Sequence, residues 1–522
     1  MNRPIRKVGV AFAVLFLALF VNLNYVQVVK GSAYRDDPRN QRVLLNEYSS
    51  PRGQIVVQDT AVAESKATKD ELKYLRVYPK GPVYAPVTGY YSFIYGASNI
   101  EEAENPVLSG DDSRLFTTKL ADLLTGRNPR GGSVQLTLNK AAQQAAYNAM
   151  KLPNGTYRPG AIVAMDPTTG AILAAVSTPS FDPNKLSSHD SSAISKAYQA
   201  YANDKRQPLL NRAFNQLYPP GSVFKVVVSA AALKAGIKPD QKIYAPQYYW
   251  PLEPGKQSAC AVNDTGPCIH NFTLPDGERE TCQPGSQTAT LAFALAKSCN
   301  TAFAALAVQK LSADKIEAEA KLFGIDTPPP AIPLSVAPST IGNLAELNND
   351  PVALAQTAFG QRSVALTPLQ VAMISAAVAN NGTLMKPYLV KSELRPNLTV
   401  LDSTTPQQLS QVIDPTLDAE LIKMMEGVVS GGSEATGHAA NITDLGPSVV
   451  VGGKTGTADH QASNGRALPA HSWFSGFALV KGEPKIAISV ILENSDSTGG
   501  EDAAPKAKDV MEAYLKTLPG LN

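Results

Sequence analysis

The strongest apolar signal lies at the start of the chain, where Arg3, Arg6 and Lys7 precede an unbroken apolar run over residues 8–21. The pattern continues to Val29, interrupted by Asn22, Asn24 and Gln27 where a headgroup region would begin. A bilayer span needs about 20 apolar residues, so residues 1–30 are predicted to form a short cytoplasmic stub and a membrane anchor. The basic residues stand before the span, which places the rest of the chain on the outer face. Gly31-Ser32-Ala33 supports the competing reading of a cleaved export signal, but it lies past the end of the strongly apolar run.

Beyond the anchor, residues 31 to about 130 are rich in turn formers and show no sustained period, as in a small accessory domain ending at Asn128-Pro129-Arg130-Gly131-Gly132. Residues 133–138 alternate as a strand, and Asn139 is placed to cap a helix over 140–150. Residues 151–155 mark the next boundary. Two strands, 161–165 and 171–176, then flank the turn at 166–170. The far end mirrors this, with strand-like runs at 449–451, 473–480 and 485–492 and a final helix over 503–518. Helical runs at 226–235, 288–297, 301–309 and 369–380 fill the middle. The predicted class is α+β: a mostly antiparallel sheet built from both ends of the domain, flanked by helices, with an all-helical insertion.

Composition narrows the function. A chain of 522 residues predicts two to four folded units. Lys plus Arg 47 against Asp plus Glu 45 leaves a net charge of +2, too little for a chain that neutralises nucleic-acid phosphates. Export permits disulfides, and Cys260 and Cys268, flanking the turn Asn263-Asp264-Thr265-Gly266, are the expected pair; Cys282 lies in a loop flanked by glycine and proline. CxxC and HExxH spacings are absent, so no zinc site is expected.

Three short motifs carry the candidate chemistry. Tyr218-Pro219-Pro220-Gly221 leads into Ser222-Val223-Phe224-Lys225, which opens an apolar helical run, so Ser222 is expected at a helix start with Lys225 one turn away on the same face. A desolvated lysine there could take the serine proton. Composition alone yields about two SxxK matches in such a chain, and a second, Ser312 to Lys315, reads as a helix cap. Ser298-Cys299-Asn300 joins two helical segments and can present a hydroxyl and a carboxamide to a cleft. Lys454-Thr455-Gly456-Thr457 follows Gly452-Gly453 at the end of a valine strand and suits capture of a carboxylate.

In this order the three motifs resemble those of the penicilloyl-serine transferases, the superfamily of penicillin-binding proteins and serine β-lactamases. The resemblance covers roughly residues 157–520 and includes Tyr218 to Gly221, Gly360-Gln361, residues 366–370 and residues 473–478. Asp37 to Arg42 and Arg52 to Ile55 are similar to the membrane-proximal region of class B enzymes, closest to the penicillin-binding protein A type. A class A β-lactamase would carry a deacylating glutamate in a Glu-x-Glu-Leu-Asn loop. Here Leu344 stands in that place ahead of Glu346-Leu347-Asn348, and residues 31–156 are too few for a glycosyltransferase domain. The resemblance therefore implies residues 31–156 as a non-catalytic pedestal domain and 157–522 as a penicillin-binding transpeptidase domain.

It further implies a serine-type D,D-transpeptidase that crosslinks peptidoglycan stem peptides ending in D-Ala-D-Ala during growth or division, with D,D-carboxypeptidation as a side activity and β-lactams as acylating inhibitors. Ser222 is the implied nucleophile and Lys225 its base. Ser298 and Lys454 would pass a proton to the leaving amine, and Asn300 would orient the substrate amide. Thr455 and Thr457 would hold the terminal carboxylate, with Gly456 between them in the substrate-binding strand. The backbone N–H groups of Ser222 and Thr457 would form the oxyanion hole. Trp473 would border the acyl pocket, against the simpler reading of a core tryptophan, and His471 beside it reads as structural. Implied partners are the cytoplasmic membrane and the proteins of a division or elongation complex, such as a lipid II polymerase. A β-lactam sensor and a non-catalytic scaffold are the competing functions. The sensor would need several membrane spans, and the intact motifs argue against the scaffold.

Overall fold

The structure is a computed structural model of the chain and describes residues 2–30, 47–126, 129–252, 268–272, 279–461, 466–495 and 497–521. Helix α1 (Asn2–Asn24) runs into a π-helical turn, Tyr25–Val29. The stretch Arg3–Gln27 is long and apolar enough to cross a membrane, and its apolar window is exposed among the described residues. Asp37 to Arg42 lie outside the described residues.

The N-terminal unit is more regular than its sequence suggests. Strand β1 (Ile55–Val57) pairs antiparallel with β2 (Thr60–Ala67), β2 pairs with β3 (Tyr74–Val77), and β4 (Ser133–Leu136) lies parallel to β1. β1, β3 and β4 have only three or four residues each, and β4 reaches β1 from far along the chain, which is why no local period announces them. Behind them Glu101 accepts from Arg52 Nε and Arg76 Nε, each at 2.6 Å, and from Tyr78 Oη at 3.1 Å, all four side chains being buried. Helix α2 (Lys140–Ala149) starts where the sequence predicts, with Asn139 Oδ1 accepting from the Ala141 and Ala142 N–H groups at 3.0 and 3.1 Å.

The second unit opens with β5 (Gly160–Met165) and β6 (Ile172–Thr178). Next comes a mainly helical stretch containing α3 (Lys225–Lys234), α4 (Leu291–Ala296), α5 (Asn300–Leu306), α6 (Leu344–Asn349) and α7 (Pro368–Ala379). α3 is buried from Lys225 to Leu233, as a helix apolar nearly all round must be. The hairpin β7 (Val390–Leu394) and β8 (Val400–Ser403) then returns to the first unit, β7 pairing antiparallel with β4, so the outer sheet runs β8-β7-β4-β1-β2-β3. α8 (Pro415–Ser430) leads to β9 (Val449–Gln461), β10 (Ala467–Val480), β11 (Glu483–Leu492) and α9 (Ala504–Leu515).

The central sheet has the order β9-β10-β11-β5-β6 and is antiparallel throughout, the class expected from the terminal strands. α7 packs on β10, β11 and β5, while α2 and α9 pack on each other and on the sheet. Every residue of β5 is buried, which requires cover on both faces. β9 is an edge strand, with β10 its one strand neighbour among the described residues. Its free side borders the cleft described next.

Candidate active site

The position of Ser222 is set by backbone packing. Ser222 lies in a 3-10 turn, Gly221–Phe224, that feeds α3, rather than in the first turn of the α-helix itself. Gly221 has φ 54° and donates to Gly360 O at 2.9 Å, and a Cβ on Gly360 would stand 2.0 Å from Gly221 O, so glycine is required there. Tyr218 and Leu366 exchange backbone bonds of 3.0 and 2.9 Å, and Tyr218 Oη donates to Glu493 Oε1 at 2.6 Å, where Arg212 Nε also binds at 2.8 Å. The distant segments Tyr218 to Gly221 and Gly360 to Leu366 thus meet beneath Ser222.

Lys225 is fully buried, and its Nζ lies 3.0 Å from Ser222 Oγ, 2.6 Å from Ser298 O and 2.8 Å from Asn300 Oδ1. Burial, and after it the charge of Lys454, holds the Lys225 amine well below its ordinary value. A neutral amine can spend its two N–H groups on the two carbonyl oxygens and turn its lone pair to the Ser222 hydroxyl. Ser298 sits between the two lysines, its Oγ 3.4 Å from Lys225 Nζ and 2.8 Å from Lys454 Nζ. It holds this place with φ 66°, an uncommon conformation for a serine, between α4 and α5. Lys454, also fully buried, donates to Thr455 O at 2.9 Å, and burial brings it down to about 7. Asn300 Nδ2 donates to His270 O at 3.2 Å, which fixes the orientation of the carboxamide.

Ser222, Ser298, Asn300, Thr455 and Thr457 line a cleft of about 900 Å³. Lys225 and Lys454 lie behind its wall. Gly456 is buried as well, and a Cβ there would meet Pro220 O at 2.9 Å. Trp473 corrects one expectation: it does not border the cleft but is fully buried, its Nε1 donating to Pro219 O at 3.1 Å. The indole braces the segment before Ser222 because β10 faces the core at that register. His471 is structural, its Nδ1 accepting from Asn494 N–H at 3.2 Å and burial pushing it down to about 3. Cys268 is in a disulfide, and Cys260, its expected partner, lies outside the described residues. A second disulfide, Cys282–Cys299, was not foreseen; it ties the residue between Ser298 and Asn300 to a loop of the cleft wall.

Sequence reasoning also missed Thr436, whose Oγ1 accepts from Thr455 Oγ1 at 2.8 Å and donates to Ala296 O at 3.2 Å. No motif marks that loop residue. Asp459, which lines the cleft, could have been found by carrying the period-two reading two residues past Thr457. The Ser312 copy of the first motif stands before the helix Ala313–Leu322 and does not line the cleft. Leu344 and Glu346 do not line it either, and Glu346 pairs with Arg362 at 2.9 Å.

Comparison with known proteins agrees with this geometry. The penicillin binding protein transpeptidase domain matches residues 160–512, and the penicillin binding protein A dimerisation domain matches residues 52–134. The chain is 42% identical over 522 residues to the peptidoglycan D,D-transpeptidase PbpA of Mycolicibacterium smegmatis, covering 99% of each. It is 41% identical over 525 residues to PbpA of Mycobacterium tuberculosis, covering 99% of this chain and all of the relative. Among solved structures, the ceftriaxone acyl-enzyme of M. tuberculosis penicillin-binding protein A matches with a TM-score of 0.81 and 40% identity over 90% of this chain and 100% of that one. Its penicillin G acyl-enzyme matches with a TM-score of 0.79 and 39% identity over 89% and 100%. With the three motifs assembled in one cleft and identity extending through both domains, the chain belongs to the penicillin-binding proteins, as a class B member of the penicillin-binding protein A type.

Proposed function

We propose that the chain is a peptidoglycan D,D-transpeptidase that works through an acyl-enzyme on Ser222 and is inhibited when a β-lactam takes the place of the stem peptide. The observation that carries this reading is the buried Lys225 amine, its two N–H groups occupied by Ser298 O and Asn300 Oδ1 and Ser222 Oγ 3.0 Å away. Lys225 takes the Ser222 proton as Oγ attacks the carbonyl between the two terminal D-alanines. The C–N bond breaks, and the departing amine receives a proton from Ser298 Oγ, which Lys454 resupplies at 2.8 Å. An amino group of a second stem peptide then attacks the ester, its proton returns through the same groups, and Ser222 is regenerated. Thr455, Thr457 and the Lys454 charge hold the terminal carboxylate, Thr455 by releasing its bond to Thr436 or sharing it.

Crosslinking of this kind occurs outside the cytoplasm, and α1, apolar beyond Lys7 and exposed throughout its apolar window, supports a single-pass anchor with the catalytic unit on the outer face. The deciding experiment is intact-mass analysis with a labelled β-lactam, followed by assay on paired stem peptides. One adduct on Ser222 together with a crosslinked dimer is expected. Adduct formation with no crosslink or exchange product from any stem peptide would leave only a β-lactam receptor.

A further inference from the structure

Most charged side chains of the cleft are engaged. Lys297 pairs with Glu280 at 2.9 Å and with Glu434, Arg362 pairs with Glu346, Glu501 accepts from Ser497 and Thr498, and Arg279 also has a partner. Asp459 differs: it lines the cleft, is exposed, and has no ion pair or hydrogen bond among the described residues. Its place on β9 gives that carboxylate a direction. Thr455, Thr457 and Asp459 stand at alternate positions of the strand, about 6.6 Å apart at each step, and all three reach the cleft. The pairing with β10 shifts between Ala458 and His460, a bulge at Asp459 of the kind that re-aims a side chain beside an active site.

β9 is an edge strand, so an extended peptide can add to its free side. Polarity follows from the anchors. The terminal carboxylate lies at Lys454 and Thr455, and the carbonyl under attack lies at Ser222, whose neighbour Gly221 packs on Thr457 O. The donor chain upstream of that carbonyl must therefore run past Thr457 toward Asp459. We infer that Asp459 selects donor stem peptides whose residue before the two D-alanines carries an ammonium on its side chain. This deepens the transpeptidase reading and rests on it. An aliphatic arm of a few carbons spans the step from Thr457 to Asp459, and a carboxylate or neutral group at its end gains nothing there.

The test uses the full chain in detergent and two pentapeptide donors ending in D-Ala-D-Ala, one with a free and one with an acetylated amine on the third side chain. Exchange of the terminal D-alanine for isotope-labelled D-alanine gives kcat/KM for each. An exposed ion pair supports a preference of about fivefold for the free amine, reduced in 0.5 M salt and near unity in Asp459→Asn. Asp459→Lys should instead favour a donor succinylated on that amine. A preference that survives Asp459→Asn, or none in the unmodified chain, overturns the inference while leaving transpeptidation intact. Absence of exchange with either donor, while penicillin still labels Ser222, overturns the transpeptidase reading and this inference with it.

Discussion

Replacing Lys454 with arginine across a range of pH separates the two tasks of its ammonium. Burial lowers Lys454 from 10.5 to about 7, a shift that makes its charged form about 5 kcal/mol less favourable than in water. About half the molecules carry the charge at pH 7, and about 1% at pH 9. If the charge captures the carboxylate, the second-order acylation constant for benzylpenicillin should fall about fiftyfold between pH 7 and pH 9, since that constant reports the free enzyme. The acid limb belongs to Lys225, which must be neutral to take the serine proton. A guanidinium does not titrate in this range, so Lys454→Arg should lose the alkaline limb. It should also acylate at least about tenfold more slowly at pH 7, because a planar fork does not fit the point-like ammonium site between Ser298 Oγ and Thr455 O. Stopped-flow acylation over a concentration series at each pH yields both terms. An alkaline limb that persists unchanged in the arginine variant refutes the assignment. A limiting rate unchanged beside weaker binding reduces Lys454 to an electrostatic anchor and leaves the protons to Lys225 and Ser298.

Peptide mapping after penicillin treatment should find the adduct on Ser222 alone, lost in Ser222→Ala and kept in Ser312→Ala, because Ser312 lies away from the cleft. The adduct should persist for hours by intact mass, and Leu344→Glu should not convert the protein to a hydrolase, since position 344 opens α6 and does not line the cleft. Asp418 is fully buried, its carboxyl is reached only weakly by the Gly382 N–H among the described residues, and burial pushes it up to about 8. The unfolded chain ionises near pH 4, so this group's contribution to stability is complete below that pH and declines between about 4 and 8. Asp418→Asn should therefore raise stability by about 2 kcal/mol at pH 7.5 and by little at pH 4, read by urea denaturation at both; equal gains at the two pH values would count against the buried acid. Trp473→Phe leaves Pro219 O without its donor, an expected loss of about 1 kcal/mol visible in thermal denaturation, with slower acylation; an unchanged rate would separate the indole from the nucleophile's support.

The sequence alone carried the features that local chemistry repeats. An apolar run behind basic residues, strands at 161–165 and 485–492, the Asn139 cap and three motifs in a known order all depend on nearest neighbours or short periods, and they survive in one dimension. Ser222 and Lys225 share a helix face because they are three residues apart. That Lys225 meets Ser298 O and Asn300 Oδ1, and that Ser298 Oγ bridges it to Lys454, required segments far apart in sequence to be brought within hydrogen-bond distance. Only the packing of the Gly221–Phe224 turn on β9, and of α3 against α4 and α5, does that. Burial decided the chemistry as well, because a lysine reads as a surface cation until a core encloses it, and here enclosure brings Lys454 to about 7. The same holds where the expectation was wrong or silent. Trp473 turned inward because its register on β10 faces the core, and β7 left the transpeptidase segment to pair with β4 because an edge strand takes whichever partner the fold delivers. Cys299 found Cys282 by proximity rather than by spacing. Asp459 became distinctive only once its charged neighbours on the cleft wall were seen to be paired.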